Sequence, residues 1–507
     1  MAAMKKITTI LLFAWILILG SCNTFLKEYS QDLVYANSIH DLSELLVGSG
    51  YAPTDVSTAT DLDFTGFHVM DDDVVFLPVH GTDLNRELGF YYWQANPFKF
   101  AQFQVSDPVW SWIYEKLGAL NVVLVKAEEF RTEDPENYRR VIGEAHFLRA
   151  YYYFHLVNLY AKPYNSTTAD QDPGVPIKLT EYIEDKFYGR VSVSEVYKLV
   201  LADLDAAITN LENVQQKSIY RATETAAHAL LSRVYLYMNK WQEADDECEI
   251  VLKSSYSLLD MNGFVGKSFT TGSSPETIFS MGQNKITGEN SLMPDLENVS
   301  TMTYYLCSEN LLDCYEEGDL RLGVFFTYSP YVEWGDVEQP CSWKQVPGET
   351  DVISDRWAIR LPEIYLNRAE AQFMLGHETE AKQALQKLRE KRFKNNQAPD
   401  INKSGKALLE EIWKERRREL CFEGHRWFDL RRYAVNGKYP TSYAIVHKLY
   451  IPEPNHGYVP IEMGKSVLEG YPNDNAWVLP IPDYAIIFNE GVLVQNDKRK
   501  ERVYQPE

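Results

Sequence analysis

The chain has 507 residues, with 72 acidic against 50 basic side chains and a net charge of −22. That balance argues against a general nucleic-acid binder, because a phosphate backbone calls for a basic surface. An apolar fraction of 45% is too high for a disordered chain, and six Cys in this length make no disulfide scaffold. The 33 Tyr exceed what a core needs, and Tyr is the amphipathic ring of wet binding surfaces.

At the N-terminus, Lys5 and Lys6 precede an uncharged, mostly apolar run from Ile7 to Leu19, too short for a comfortable membrane span. Leu19, Gly20 and Ser21 before Cys22 look like a bacterial lipobox, so residues 1–21 read as a lipoprotein signal and Cys22 as the lipidation site. An ordinary signal peptide or an N-terminal anchor is the alternative. Removing the leader leaves 48 basic and 72 acidic side chains, a net charge of −24. No Gly/Ser linker or Pro-rich hinge cuts the remainder. Residues 22–507 therefore read as one domain, with halves at 22–250 and 251–507.

Most strong periodic segments are helical. Ala145, Leu148, Tyr152, Leu156 and Leu159 share one helix face, as do Tyr197, Val200, Leu201, Leu204, Ile208 and Leu211. Ser192 with Glu195 is a capping box for the second helix. Two stretches read as helix-turn-helix pairs. One joins Ala226, Leu230, Val234 and Tyr237 to Trp241, Ala244, Cys248 and Val251. The other joins Leu361, Tyr365, Ala369 and Phe373, across Gly376, to Ala381, Ala384, Leu385 and Leu388. Such hairpins are the layout of tetratricopeptide-like repeats, here degenerate or interrupted. Residues 51–108, 254–350 and 433–480 lack helical period and are rich in Gly, Pro, Asp, Ser and aromatics, as functional loops are. The fold class is all-α, a repeat scaffold carrying large aromatic-rich insertions and few short strands.

Among the polar motifs, the Glu415–Arg432 block reads as scaffold pairing at i, i+3 spacing, for example Glu415 with Arg418, in preference to an anion site. The ten His contain no zinc pattern. Asp71, Asp72 and Asp73 can accept hydrogen bonds from sugar hydroxyls, ligate Ca²⁺, or form a solvated turn. A Cys307–Cys314 bridge is possible. Trp93 with Asn96, Arg86 and the three Asp supplies both a flat ring for a sugar's C–H face and polar groups for its hydroxyls. The bland reading puts Tyr91 and Trp93 into a small sheet or core.

Several blocks resemble the SusD/RagB family, in that family's order. They are Cys22-Asn-Thr-Phe-Leu26, Gly143-Glu-Ala-His-Phe-Leu-Arg-Ala-Tyr-Tyr-Tyr-Phe154, Arg190-Val-Ser-Val-Ser-Glu-Val-Tyr197 and Arg221-Ala-Thr through Tyr237. Leu361 to Ala371, Glu415 to Arg432 and Leu479-Pro-Ile-Pro482 follow. The resemblance implies an all-α fold of four tetratricopeptide-like helix pairs supporting a loop-rich ligand-binding half. It also implies a non-catalytic, lipid-anchored outer-membrane protein of Bacteroidetes that faces outward. Such a protein binds glycans, in some cases peptides, without a cofactor, and closes over a SusC-type TonB-dependent transporter as a lid. Only Asn23, Thr24, Phe25, Leu26 and Lys27 stand between Cys22 and the first acid, Glu28, so the acidic run frequent in exported surface lipoproteins is missing.

Carried over, the resemblance assigns Trp93 and Asn96 to the ligand site. Tyr304, Tyr305 and Trp334 of the 254–350 insertion are expected opposite them. A glycoside hydrolase, which needs two carboxylates across a cleft, and a protein-binding helical adaptor are the alternatives from other classes. The loops do not distinguish among starch, xylan, pectin, mannan, host glycan or peptide.

Overall fold

Several helices begin where the sequence supplies a side-chain cap. The computed structural model describes residues 36–52, 67–78, 88–100, 103–104, 107–216, 218–281, 303–327, 340–346, 349–351, 353–453 and 459–502. The signal, Cys22, Arg86 and Trp334 lie outside the described residues.

After α1 (Ile39–Leu45) and the single turn α2 (Leu88–Tyr91), the scaffold proper starts at α3 (Pro108–Lys126), capped by Asp107. It continues through α4 (Pro135–Tyr160), capped by Asp134, and α5 (Val193–Leu211), where both halves of the Ser192/Glu195 capping box form. Helices α6 (Glu224–Tyr237) and α7 (Trp241–Leu252) make the first expected hairpin. Helices α8 (Glu309–Leu312) and α9 (Arg321–Val324) are single turns within the long insertion. The second hairpin is α10 (Leu361–Leu375) and α11 (Glu378–Glu390), joined at Gly376, whose φ of +91° ends α10 in the left-handed conformation. Helices α12 (Lys406–Leu420), α13 (Arg426–Ala434) and α14 (Asp483–Phe488) complete the set.

The scaffold helices stack in sequence order, α3 on α4, α4 on α5, α5 on α6 and α6 on α7. Helix α7 then packs on α10 across the intervening insertion, so the repeat is interrupted in sequence yet continuous in space. Small residues permit these approaches. A Cβ at Gly143 would stand 2.6 Å from Leu211 Cγ, and Ala244 meets Ala371 between α7 and α10. The stripes read from periodicity are buried, including Leu148, Tyr152 and Leu156, and Ala381, Leu385 and Leu388.

The non-periodic stretches hold short antiparallel pairs. These are β1 (Val74–Pro78) with β5 (Thr303–Cys307), β2 (Lys99–Phe100) with β3 (Phe103–Gln104) and β4 (Thr277–Ser280) with β8 (Ala358–Arg360). The others are β6 (Phe326–Thr327) with β7 (Cys341–Ser342) and the long hairpin β9 (Ile445–Glu453) with β10 (Val459–Leu468). The β1–β5 register, Val74 opposite Cys307 to Pro78 opposite Thr303, sets the early loop beside the long insertion. Cys307 and Cys314 are both buried and neither is in a disulfide, so the bridge between them is not formed.

The Glu415–Arg432 block is scaffold. Glu415 meets Arg418 at 2.6 Å and Arg321 at 2.7 Å, and Glu419 meets Arg392 at 2.9 Å and Arg360 at 3.4 Å. All of these side chains are essentially inaccessible, so each charge is answered by two or more partners within the core.

A candidate ligand groove beside Asn96

Helix α2 closes in a Schellman motif. Trp93 N–H donates to Phe90 O and Gln94 N–H to Gly89 O, each at 2.9 Å. Trp93 takes the left-handed position, with φ of +50°, where Gly is usual. Its side chain explains the choice. The indole Nε1 donates to Met70 O at 2.9 Å and the ring stacks on His447 at 4.3 Å. Trp93 is fully buried, so it offers no face to a sugar; the expectation of a stacking platform is corrected to a core anchor.

Tyr91, Tyr92 and Tyr305 are buried as well, with Tyr91 and Tyr305 packed about Phe76. These loops therefore have an aromatic core of their own, and part of the Tyr excess goes to it rather than to a wet binding surface. Tyr304 pairs with Leu77 through its backbone; its side chain, like Arg86 and Trp334, lies outside the described residues.

The three aspartates form an ion-pair hub. Asp72 receives Arg426 Nε at 2.7 Å and Arg417 at 3.2 Å, and Asp73 receives Arg417 Nε at 2.7 Å. Asp73 N–H donates to Asp71 Oδ1 at 2.9 Å. Burial, with Asp73 and Asp72 beside it, pushes the Asp71 pKa well up. Ligand atoms of the three lie within 4.8 Å of one another, so a Ca²⁺ ion here would compete with both guanidinium groups. Asp71 and Asp73 are buried and the half-buried Asp72 is engaged by two guanidinium groups, so the expected hydrogen bonds to sugar hydroxyls would have to compete with these ion pairs.

Asn96 is different. It lies half-buried on the wall of an open groove of about 610 Å³, lined by Phe98, Lys99, Asp107, Pro482, Tyr484 and Ile487 among others. A second concavity of about 400 Å³ shares Asn96, Lys99, Pro480 and Asp483, and runs on past Gln94 to Gln495 and Asn496. Asn96 Oδ1 accepts from Phe98 N–H at 3.1 Å, an Asx turn that orients the amide. Its Nδ2 has no partner among the described residues. Lys99 and Asp483 face each other at 3.6 Å, both largely exposed.

Tyr484 is the exposed ring of this groove. Its hydroxyl donates to Asp107 O at 2.9 Å and accepts from Ser111 N–H at 3.1 Å, while 40% of the residue is open. Asp107 is fully occupied. Its Oδ1 accepts from Val109 N–H at 3.0 Å as the cap of α3, and its Oδ2 accepts from Tyr160 Oη. Burial raises its pKa to about 6, over the opposing pull of those donors. Amide, carboxylate, ammonium and phenol thus stand over an apolar floor of Phe98, Pro480, Pro482 and Ile487, the mixture that orients a polyhydroxylated ligand. Reading the sequence missed Lys99, Asp483 and Tyr484. A signal was present for two of them, since Asp483 and Tyr484 follow directly on the Leu479–Pro482 block.

Residues 347–498 match the SusD family model, and residues 90–236 match a model described as starch-binding associating with outer membrane. The chain belongs to the SusD family. A SusD-like protein of Bacteroides ovatus is 26% identical over 389 residues, covering 66% of this chain and 67% of the relative. SusD-like protein P25 of Formosa agariphila is 23% identical over 496 residues, covering 85% and 90%. Among solved structures, a SusD-like carbohydrate binding protein from Bacteroides vulgatus aligns with TM-score 0.67 at 20% identity, over 90% of this chain and 97% of that one. A SusD superfamily protein from Bacteroides thetaiotaomicron aligns at 0.66 and 22%, over 90% and 98%. These structures share this SusD-family fold, including the all-α class expected from periodicity.

Proposed function

We propose that this SusD-family chain captures carbohydrate at the bacterial outer membrane, leaves it uncleaved, and passes it to a TonB-dependent transporter of the SusC type. The observation that carries the reading is the groove at Asn96, where polar groups with unclaimed hydrogen-bonding capacity stand over an apolar floor. The description of the family model over residues 90–236 and the carbohydrate-binding relative support the same assignment. Lipidation at Cys22 supplies the anchor. Among the described residues no helix is long and apolar enough to cross a membrane, so a separate transporter suits the inward step.

Against hydrolysis stands the state of Asp107. Its pKa is raised, as that of an acid catalyst would be, yet both its oxygens serve the fold. The test is native affinity electrophoresis of residues 22–507 through gels cast with starch, xylan, pectin or mannan, followed by assay for new reducing ends. Retardation in one gel without new reducing ends is expected. No retardation in any gel sinks the carbohydrate reading. New reducing ends lost on one Asp or Glu substitution would establish the hydrolase instead.

A further inference from the structure

His447, on β9, is buried under the turn that carries Asn96. Its ring lies between two aromatic planes, stacked on Tyr91 at 3.9 Å and 12° and on Trp93 at 4.3 Å and 24°. Its nitrogens reach two segments remote in sequence, Nδ1 at 2.7 Å from Tyr91 O and Nε2 at 2.7 Å from Asp71 O. The neutral ring donates through one nitrogen and the imidazolium through both. A single side chain therefore ties the C-terminal end of α2, the Asp71–Asp73 segment and β9 together.

The tie matters because the turn beyond it is strained. Trp93 sits in a left-handed conformation that bulky residues avoid, and such strain persists only where the surroundings over-determine it. Three contacts over-determine it here: the His447 stack, the Nε1 bond to Met70 O, and Arg502 Nη1 donating to Trp93 O at 2.6 Å. Three residues further on the chain reaches Asn96 and the groove. The charge whose field reaches His447 is that of Asp72, next to the Asp71 carbonyl that the ring contacts, and Asp72 is in turn paired with Arg417 and Arg426. Asp72 and Asp73 are held by those two arginines, so the ring's direct bonds go to carbonyl oxygens.

We infer that His447 is the positioning residue of the carbohydrate groove: it clamps the strained Trp93 turn and thereby sets where the Asn96 amide meets the sugar. The assignment rests on the groove reading above, and two measurements separate the fates of the two. The first needs no sugar. In the full mature chain, His447→Ala is expected to speed amide hydrogen exchange at residues 93–98 by about tenfold or more, with α5 unchanged as the control for global folding. Unchanged exchange across 93–98 overturns the clamp, and equal acceleration in α5 reduces His447 to a general core residue. The second is a double-mutant cycle in whichever of the starch, xylan, pectin or mannan gels retards the wild-type protein. Asn96→Ala and His447→Ala are each expected to weaken retention about tenfold, and the double variant no further, because one acts through the other. Multiplying effects overturn the positioning role and leave the groove standing. Weakening by Asn96→Ala alone does the same. No effect of Asn96→Ala removes the groove, and the positioning role with it.

Discussion

Two regions of this protein handle polar groups in opposite ways. Around Glu415 and Glu419, on α12, each buried charge is met by several charged partners, most of them on other elements, and both side chains lie out of a ligand's reach. Around Asn96 the polar groups are fewer, partly exposed, and in the case of the Asn96 amide nitrogen unclaimed by the described residues. Density of charge is thus a poor guide to a binding site. A satisfied network specifies the fold, whereas a site needs hydrogen-bonding capacity left over.

The comparison breaks most visibly at Glu419. Replacing it with Gln leaves Arg321, Arg360 and Arg392 under-compensated in the core, with an expected loss of about 3–5 kcal/mol in denaturant unfolding. Carbohydrate retention below the unfolding range should not change, and a selective loss of retention would mean the network reaches the groove. Burial alone would raise the Glu419 pKa, but Arg392, Arg360 and Arg321 hold it down at about 2. Its contribution is therefore complete above pH 4.5 and is lost as pH falls through about 2, which an acid titration of circular dichroism would follow.

Trp93→Ala comes next, at about 3–5 kcal/mol for a buried indole. Here stability and retention should fall together, because the same ring supports the turn before Asn96. Retention lost at unchanged stability would restore Trp93 as a ligand platform.

Asp107 sharpens the contrast with the opposite sign. Its folded pKa of about 6 lies above the unfolded value, so ionisation costs the folded state about 2–3 kcal/mol as pH rises from 4 past 6. Asn keeps the helix cap, so Asp107→Asn should unfold later than wild type at pH 7.5 and show no advantage at pH 4. A less stable variant at both pH values would contradict the assigned cause. Smallest is Tyr484→Ala, which removes one exposed ring and should weaken gel retention by about 1 kcal/mol, roughly fivefold, with the unfolding midpoint little changed. Undiminished retention would remove Tyr484 from the groove.

The helical scaffold was legible because its cues are local. A 3.6-residue stripe, Ser192 with Glu195, and Gly376 at a helix end each act within one or two turns of chain. The family blocks and the scaffold role of Glu415–Arg432 followed from residue order as well, while Asn96 was assigned to the ligand site only by the family resemblance. The burial of Trp93, Tyr305, Asp71 and Asp73 did not follow from residue order. Asp73 finds Arg417 at a separation of 344 residues, and Asn96 shares its groove with Tyr484 from the far end of the chain. A carboxylate or an indole has the same local signature whether it meets water, a sugar or a guanidinium group. Which of these it meets depends on what packing brings to it across hundreds of residues, and only the folded chain decides that.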